Sequence, residues 1–529
     1  MELHGKNIIG AAESVEPAGD GFQAKNPATG ASLEPTYHDA TQSEVDRAYG
    51  LAVAALPEIK KLGREARAKL LDCIAEKLDA LGDEWLERAE AETGKPVGGL
   101  KFERGRTTNQ LRMFAAFVRE GSWTGARIEH ADSERKPLPK PDTRMLRIAV
   151  GPVAVFGASN FPLAFSVPGG DTASALASGC PVIVKAHPAH PGTSEMAGRA
   201  IAEAVAECGF PEGTFSLLHG TGHEIGLAMV RHPEARAVAF TGSLAGGRAL
   251  FDAAAARPSP IPVFAEMGST NPIFVLPRAA AEYGTAIAKG MRNSVTLGVG
   301  QFCTCPGFLV GMESPELDGL RGQLTEYFEG AAEQVMLHSG IRSNFARGVE
   351  RVAGVEGVSR AGDDLTDAGP GGATVTAVLF STDAGTFMDS EEIRDEVFGP
   401  STVVVGCGSR DEMFAMASSF EGQLTATIHG TPEDLEEYAD LVGILEEKAG
   451  RVIVGGFPTG VEVGDAMVHG GPYPATTDSR STSVGTAAIE RFVRPVCYQD
   501  FPQSLLPLEL QDDNVTRILR LVDGEWSTA

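Results

Sequence analysis

The sequence predicts an α/β protein built on a doubly wound parallel sheet, followed by a second α/β region. Three observations support this fold class. Short apolar runs alternate with helical stretches between residues 152 and 268, the N-terminal third is mainly helical, and apolar runs resume after residue 270. A chain of 529 residues is long enough for two or three domains with well-buried cores.

The composition excludes several classes of function. Apolar residues make up 43% of the chain and charged residues 22%, and no segment approaches the roughly 18 uninterrupted apolar residues of a membrane helix. The first residues lack the basic and apolar blocks of a secretory signal, so we expect a cytoplasmic protein. The formal charge of −26 repels nucleic acid and anionic membranes, so neither is an expected partner.

Helical spacing of apolar residues dominates the N-terminal third. It is clearest in SEVDRAYGLAVAAL, REARAKLLDCIAEKLDAL and TTNQLRMFAAFVREG, which carry charged residues between the apolar ones. The polar, proline-containing stretch EHADSERKPLPKPDTRM that follows is expected to be a connection or an exposed ribbon near a domain boundary.

Five apolar runs then end in a glycine or a polar turn, as buried parallel strands do. They are VAVFGAS, PVIVKAH, FSLLHGTG, AVAFTGS and PVFAEMGS. The helix TSEMAGRAIAEAVAECGFPEG lies between two of them, and we predict a cap at Thr193 or Ser194 and an end at Gly209. Ligands of such sheets bind beyond the carboxyl ends of the strands, so the residues there are candidates for chemistry.

Further strands are predicted after residue 270, in NPIFVLP, TVVVGC and RVIVGG. The segment RFVRPVCYQDFP near the C-terminus is also strand-like. Pro495 restricts it to the edge of a sheet or to an exchanged arm.

Two cysteines, Cys303 and Cys305, lie one residue apart in GVGQFCTCPGF. Seven widely spread cysteines argue against a disulfide framework and suit a reducing compartment. This spacing disfavours a mutual disulfide, and no paired motif supplies the two further ligands of a zinc site, so no metal is expected. Two interpretations stay open: two buried structural cysteines, or one nucleophile on a backbone shaped by glycine and proline for access.

Two polar residues close predicted strands. Asn160 in GASNFP could donate a hydrogen bond to a developing oxyanion or could be an ordinary turn residue. Glu266 in FAEMGS could be a surface residue, or a general base whose pKa is raised by burial at the end of an apolar strand.

Phosphate-binding features occur at two other strand ends. Lys185 closes PVIVK, and Ser243 opens the helix after AVAFTG. The helix start from Gly242 to Gly247 offers free N–H groups and the positive end of the helix dipole to a phosphate. The stretch HGTGHEIG is a weaker candidate, because its third glycine comes one position late for a dinucleotide fingerprint.

Taken together, these motifs resemble those of the aldehyde dehydrogenases over nearly the full length of the chain. The motifs are GASNFP, PVIVK, FTGSLAGG, AEMGSTNP, GQFCTCPG and EEIRDEVFGP. The resemblance implies that Cys303 is the nucleophile and Cys305 a bystander. It further implies that Asn160 and the Cys303 N–H form the oxyanion hole and that Glu266 activates water to hydrolyse a thioester.

The same resemblance implies a nicotinamide cofactor. Lys185 and Ser243 match positions that contact its adenosine ribose and pyrophosphate, while Glu396 and Phe398 match positions at the nicotinamide ribose. Members that prefer NAD often have an acidic residue three positions after the lysine, where this chain has Pro188. Without that carboxylate a 2′-phosphate meets less repulsion, so NADP is expected, with NAD as the alternative.

Several stretches resemble one branch of the family, which oxidises 2,5-dioxopentanoate to 2-oxoglutarate. They are KAHPAHPGTSE, HGTGHEIGLAMV, FPTGVEV and MVHGGPYPATTDSRSTSVG. The substrate carboxylate should meet an arginine, and FERGRTTNQLR supplies Arg104, Arg106 and Arg112 on a helix that borders the family's substrate tunnel. The register of the helix favours Arg106 as the contact for the substrate carboxylate. The alternative is that Arg106 and Glu103 lie together on a solvated face of the helix. The alternative functions are a dehydrogenase for a fatty or other aliphatic aldehyde, and a coenzyme A-acylating acyltransferase, which usually lacks the glutamate found here at Glu266.

The resemblance also implies a domain organisation and a homodimer or dimer of dimers, because the oligomerisation arms of such proteins bury their edges across a subunit boundary. Residues 1–125 and 149–268 are assigned to the cofactor-binding domain, 269–485 to the catalytic domain, 126–148 and 486–500 to a β-strand oligomerisation arm, and 501–529 to a C-terminal tail. Gly455 replaces the asparagine that the family usually has after RVIV, so the loop there is expected to be held differently.

Overall fold

A computed structural model describes residues 1–14, 21–365 and 367–528. The strands, in chain order, are β1 (Asn7–Ile9), β2 (Ala12–Ser14), β3 (Phe22–Lys25), β4 (Ser32–Tyr37), β5 (Arg127–Glu129), β6 (Thr143–Ala149), β7 (Val153–Phe156), β8 (Val182–Lys185), β9 (Phe215–Leu218), β10 (Ala237–Thr241), β11 (Val263–Glu266), β12 (Ile273–Val275), β13 (Phe308–Met312), β14 (Gln334–Val335), β15 (Ser359–Ala361), β16 (Thr374–Val375), β17 (Val378–Asp383), β18 (Ser401–Cys407), β19 (Gln423–His429), β20 (Ala449–Val454), β21 (Val493–Gln499), β22 (Arg520–Val522) and β23 (Glu525–Ser527).

The α-helices are α1 (Gln42–Ala80), α2 (Gly82–Thr93), α3 (Val97–Glu120), α4 (Gly170–Ser178), α5 (Pro191–Glu207), α6 (His223–Arg231), α7 (Leu244–Ala255), α8 (Pro277–Thr296), α9 (Pro315–Glu329), α10 (Ser339–Ala353), α11 (Ala384–Asp389), α12 (Glu391–Arg394), α13 (Arg410–Ser419), α14 (Pro432–Glu437) and α15 (Ala439–Lys448). Helix α1 is interrupted at Gly63, whose φ is 76°. Among the helices that the structure describes, none combines the length and the apolar character needed to cross a membrane.

The first sheet has the strand order β11-β10-β7-β8-β9-β1-β2. Strands β11 to β9 in this order are parallel, and β1 and β2 join one edge antiparallel. Alternate residues of β7 enter separate apolar cores on the two faces of the sheet, so its sequence is apolar throughout. All five strands predicted in this region are confirmed, as is the α/β fold class.

The order of this sheet reverses at β7, because β8 and β9 lie on one side of it and β10 and β11 on the other. Pairing aligns the strand ends: Phe156 lies opposite Lys185, and Thr241 opposite Glu266. The strand ends singled out in the sequence therefore meet at one edge, beside the reversal point where such sheets bind their ligands.

The second sheet has the order β15-β17-β18-β13-β12-β19-β20 and is parallel apart from β15. Strands β12, β18 and β20 confirm the three predicted runs of this region. A third sheet, β21-β6-β5-β22-β23, has β21 and its Pro495 at an edge, as predicted. Strands β22 and β23 extend this sheet beyond β5, at the end opposite β21. The division of the chain into domains stays a prediction.

The start of helix α5 differs from the prediction. The helix begins at Pro191, and neither Thr193 nor Ser194 is its N-cap. The buried carboxylate of Glu92 on α2 accepts the N–H groups of Gly192 and Thr193 at 2.8 Å, so a distant side chain satisfies these donors. The prediction of a local cap was wrong because a tertiary contact replaces it, whereas Gly209 does follow the helix in a left-handed conformation with φ of 70°.

The turn before Cys303 has an unusual backbone. Gly298, Val299 and Gly300 have φ values of 56°, 60° and 63°, all in the left-handed region. A Cβ atom at Gly300 would lie 2.3 Å from the carbonyl carbon of Gly399. Glycine at position 300 therefore lets the turn pack directly against the backbone that precedes β18.

We expect Gly300→Ala to lower the free energy of unfolding by about 1–3 kcal/mol, because alanine brings both a strained φ and a clash with backbone. The turn would shift, and kcat would fall about tenfold or more because Cys303 follows three residues later. Urea unfolding and steady-state rates measure both effects.

Gly284→Ala is the matched control, since Gly284 lies within α8 and a Cβ there meets open space. This control should be neutral or should stabilise the protein by about 0.4–1 kcal/mol. Equal behaviour of the two variants would contradict the assigned role of Gly300.

Candidate active site

Two loops face each other across the carboxyl edge of the first sheet. One follows β7 and carries Asn160, and the other precedes β13 and carries Cys303. The side-chain amide of Asn160 donates to the backbone carbonyl of Gln301 at 2.9 Å, which joins the two loops directly. Glu266, at the end of β11, lies beneath them and is 3% exposed.

Cys303, Glu266 and His469 form one cluster, in which Glu266 and His469 are buried and Cys303 is partly exposed. The Cys303 Sγ lies 3.3 Å from His469 Nε2, which in turn lies 2.9 Å from Glu266 Oε1. The Ser483 hydroxyl donates to the other carboxylate oxygen, Oε2. Glu266 Oε1 itself has no aligned hydrogen-bond donor in the described part of the chain, although the imidazole is close.

The sequence did not identify His469 as a site residue. It appeared only within a stretch that carried the family resemblance, and it lies 166 residues from Cys303. The sequence feature that could have pointed to His469 is a histidine followed by two glycines, at the start of the irregular segment HGGPYPATTDSRSTS. Such a histidine has no local partner, so only the fold reveals its neighbours.

Charges within the cluster set the protonation states. Burial acts to raise the pKa of Glu266, but the His469 ring and hydrogen bonds from Ser483 and Cys303 outweigh it and lower that pKa below its ordinary value. The expectation of a raised pKa for Glu266 was therefore wrong. Burial and then the Glu266 charge raise the pKa of the Cys303 thiol well above its ordinary value, while Arg106 opposes this. These effects favour the neutral thiol form of Cys303.

The backbone around Cys303 is held by Asn271, which follows β11. Its side-chain amide donates to the carbonyl of Cys303 at 2.9 Å and to that of Cys305 at 3.0 Å. The Gln423 amide oxygen accepts the backbone N–H groups of Thr270 and Asn271 at 2.8 and 2.9 Å. The end of β11, the start of β19 and the cysteine loop are therefore fixed relative to one another.

Cys305 lies in a different environment from Cys303. Its sulfur is 3.9 Å from the carbonyl oxygens of Val295 and Gly399, within the second α/β region. Burial raises the pKa of its thiol to about 12. This environment is consistent with the bystander role that the resemblance implies.

A buried ion pair supports the loop that carries Asn160. Lys95 Nζ donates to the backbone carbonyl of Asn160 at 2.7 Å and to Glu103 Oε2 at 2.9 Å. Glu103 Oε1 accepts the N–H groups of Leu163 and Ala164 at 2.8 and 3.0 Å. Glu103 therefore holds this loop by hydrogen bonds and does not form a solvated helix face with Arg106.

The three candidate arginines on α3 have different partners. Arg104 donates to the Gly82 carbonyl, and Arg112 forms a 2.7 Å ion pair on the surface. The Nη1 and Nη2 atoms of Arg106 are buried, and neither has a hydrogen-bond partner among the described residues. Its guanidinium lies 4.8 Å from the ring centroid of Phe165. Burial lowers its pKa, and the negative charges of Glu103 and Glu266, and of Cys303 once it is ionised, oppose this shift.

The start of α7 fits a phosphate group. Ser243 is the N-cap, and its hydroxyl accepts the N–H of Gly246 at 3.2 Å. Cβ atoms at Gly242 and Gly247 would lie within 2.6 and 2.5 Å of side chains packed against them. Glycines therefore let the backbone lie close to these side chains while the exposed first turn presents its N–H groups.

Two further predicted cofactor residues, Lys185 and Glu396, have shifted pKa values. Burial lowers the pKa of the Lys185 amine to about 8, with Asp39 opposing the shift. Glu396 reaches solvent in the crevice yet is surrounded by protein, and this desolvation raises the pKa of its carboxyl to about 7. Phe398 is half-buried two residues later. Their roles toward a cofactor stay predictions.

Comparison with known proteins agrees with this geometry. The sequence pattern of the Aldehyde dehydrogenase family matches residues 15–473, and the chain belongs to that family. It is 49% identical over 529 residues to alpha-ketoglutaric semialdehyde dehydrogenase 2 of Azospirillum brasilense, covering 99% of this chain and 100% of the relative. It is 45% identical over 494 residues to alpha-ketoglutaric semialdehyde dehydrogenase of Acinetobacter baylyi, covering 92% of each chain.

A solved structure of an aldehyde dehydrogenase from Bacillus cereus, the E194S mutant, superposes with a TM-score of 0.79 at 21% identity. The match covers 94% of this chain and 96% of that one, and it supports the fold alone. The resemblance and the fold class predicted from the sequence are confirmed.

Glu266→Gln should lower the pKa of the Cys303 thiol, because it removes a negative charge that opposes the thiolate. The rate of Cys303 alkylation by iodoacetamide is measured against pH by mass spectrometry of the Cys303 peptide. At every pH below the midpoint of the wild-type rate curve, the variant should react faster.

Glu525→Gln, in strand β23, is the control and should leave that midpoint in place. An unchanged midpoint in Glu266→Gln would contradict a charged Glu266 beside the thiol.

Proposed function

We propose that this enzyme oxidises 2,5-dioxopentanoate, also called α-ketoglutaric semialdehyde, to 2-oxoglutarate. The observation that carries the proposal is the buried Arg106 guanidinium, which lacks a partner in the described chain and whose charge acts on Cys303 and Glu266. A substrate carboxylate would satisfy its two free nitrogens in one bidentate contact. The names of the two relatives at 49% and 45% identity support the same substrate.

A second guanidinium supports a substrate with several oxygens. Arg451 on β20 donates to the carbonyls of Pro458 and Gly460 at 2.7 and 3.2 Å, and its buried Nε has no partner among the described residues. Burial lowers its pKa, and a thiolate at Cys303 would oppose this shift. Two cations whose charge acts on Cys303 favour an anionic aldehyde over a hydrocarbon one.

The first chemical step requires the Cys303 thiolate. His469 Nε2, 3.3 Å from the sulfur, is placed to take the thiol proton, and the Glu266 charge would stabilise the imidazolium formed. The sulfur then bonds to the aldehyde carbon, and the carbonyl oxygen takes up the negative charge. Asn160 and the Cys303 N–H are the proposed donors to that oxygen.

The residues of the crevice fit a nicotinamide cofactor. Ser243 and the first turn of α7 would hold its phosphates, Lys185 its adenosine ribose, and Glu396 and Phe398 the nicotinamide end. When bound, the cofactor accepts the hydride that leaves the former aldehyde carbon.

Hydrolysis of the acyl-cysteine completes the reaction. Glu266 is charged because His469 lowers its pKa, so it can accept a proton from water while the water oxygen attacks the acyl carbon. The carbon–sulfur bond breaks, and the acid and the Cys303 thiolate are released. A hydrolytic carboxylate in this position favours an acid product over an acyl-coenzyme A.

We further propose NADP as the preferred cofactor, because Pro188 leaves no carboxylate at the third position after Lys185. A homodimer or dimer of dimers is proposed from the open edge of β21. The seven free thiols suit the cytoplasm.

Replacing Arg106 by alanine should lower kcat/KM for 2,5-dioxopentanoate about 10- to 100-fold relative to pentanal, an uncharged aldehyde of equal chain length. The expected loss corresponds to about 1.5–3 kcal/mol for hydrogen bonds to a charged group. Steady-state rates of NADPH formation with the two aldehydes give this ratio.

Arg112→Ala is the matched control on the same helix, because Arg112 is paired on the surface, and it should leave the ratio unchanged. An equal loss for both aldehydes in Arg106→Ala, or no loss, would count against the assigned substrate contact.

Pro188→Glu should lower the ratio of kcat/KM for NADP over NAD by about tenfold or more, since a carboxylate there repels a 2′-phosphate and can bind ribose hydroxyls. The uncharged variant Pro188→Gln controls for side-chain size. If both variants keep the wild-type ratio, position 188 does not set the cofactor preference.

A further inference from the structure

The cluster of Cys303, His469 and Glu266 presents three kinds of zinc ligand to one point. The sulfur, the imidazole Nε2 and a carboxylate oxygen all lie within 4.8 Å of one another. They come from three distant parts of the chain, so the sequence offered no metal motif. We propose that these residues form an inhibitory Zn²⁺ site in the enzyme free of aldehyde.

Their distances suit tetrahedral zinc. Bonds of about 2.3 Å to sulfur and about 2.0 Å to nitrogen and oxygen place the ligand atoms about 3.3–3.6 Å apart. The Cys303 Sγ and His469 Nε2 are 3.3 Å apart, and His469 Nε2 and Glu266 Oε1 are 2.9 Å apart. The sulfur and the carboxylate oxygen lie within 4.8 Å of each other, so adjustment of the Cys303 and Glu266 side chains would bring all three ligand atoms to bonding distance of one ion.

The Glu266 carboxylate oxygen that faces His469 is a second indication of a ligand. Glu266 is 3% exposed, and its Oε1 lacks an aligned donor among the described residues. An ion bound there would satisfy this oxygen, the sulfur and the imidazole together, and water would take the fourth position.

Zinc binding displaces one proton, and the charges of its ligands offset the charge of the ion. The zinc–sulfur bond forms as Cys303 releases its proton to solvent, and the neutral His469 ring binds through Nε2 with its proton on Nδ1. Thiolate and carboxylate neutralise the two positive charges of the ion, so the occupied cluster carries no net charge. The Arg106 guanidinium opposes binding, which limits the affinity of the site.

Zinc bound in this way would occupy the nucleophile and the proposed base at once. Its inhibition is therefore competitive with the aldehyde and is reversed by a chelator. Magnesium, which prefers oxygen ligands and octahedral geometry, should not inhibit.

The test measures zinc binding directly. The full-length enzyme is titrated calorimetrically with ZnCl₂, in the wild type and in the variants Cys303→Ser, His469→Asn, Glu266→Gln and Cys305→Ser. We expect one zinc ion per chain in the wild type and in Cys305→Ser, and at least tenfold weaker binding in the other three. Circular dichroism confirms that each variant is folded, and Cys303→Ser, which changes a single atom, decides the result if another variant unfolds.

Cobalt provides an independent readout of the sulfur ligand. Addition of CoCl₂ should produce a thiolate-to-metal charge-transfer band in the wild type and in Cys305→Ser, and no such band in Cys303→Ser. Inhibition of pentanal oxidation by ZnCl₂ should be competitive and should be lost on adding EDTA. Pentanal keeps this assay independent of the substrate proposed above.

Several results would overturn the proposal. They are the absence of stoichiometric zinc binding to the wild type, unchanged binding in Cys303→Ser, a cobalt–thiolate band that disappears only in Cys305→Ser, and equal inhibition by MgCl₂.

Discussion

The amide oxygen of Gln423 is the point on which the geometry of the site depends. It accepts hydrogen bonds from the N–H groups of Thr270 and Asn271 and from the hydroxyls of Ser269 and Thr270, at 2.8–3.0 Å. Asn271 then holds the carbonyls of Cys303 and Cys305. One buried oxygen thus connects the loop after Glu266 with the loop of the nucleophile, and these donors would lose this partner in its absence.

Neighbouring groups shift the pKa values of two glutamates of the site in opposite directions. Glu266 has an imidazole and a hydroxyl beside it, and its pKa is lowered. Glu396 has a backbone N–H of Ser269 as its weak partner, and desolvation raises its pKa to about 7. The same side chain can therefore act as a charged base at one end of the crevice and exchange a proton near neutrality at the other.

Burial explains which parts of the fold could be predicted from the sequence. Strands covered on both faces must be apolar throughout, so β7 to β11 appear as short apolar runs, and their ends mark the site. Strands β1 and β2 were not predicted because each has only three residues, and β3 and β4 were not predicted because they are partly exposed and mix polar with apolar residues. Their apolar pattern is too brief to distinguish from a loop.

The site could be predicted only where a residue closes a strand or lies in a glycine-rich turn. Asn160, Lys185, Ser243, Glu266 and Cys303 meet that condition. His469 does not, because an irregular segment brings it to Cys303. The direction of the Glu266 pKa shift was wrong for the same reason, since it depends on that histidine. The cap of α5 by Glu92 is likewise a contact between residues far apart in the chain.

The left-handed turn before Cys303 links stability to function in a further way. Val299 is β-branched and has φ of 60°, a conformation that costs about 1–3 kcal/mol and persists because its surroundings enforce it. Selection for stability alone would therefore favour replacing this valine with glycine. Val299 also packs against the apolar core of the second sheet, so the same change would remove a contact that holds the turn before Cys303. A protein stabilised at this position would therefore hold the Cys303 sulfur less firmly.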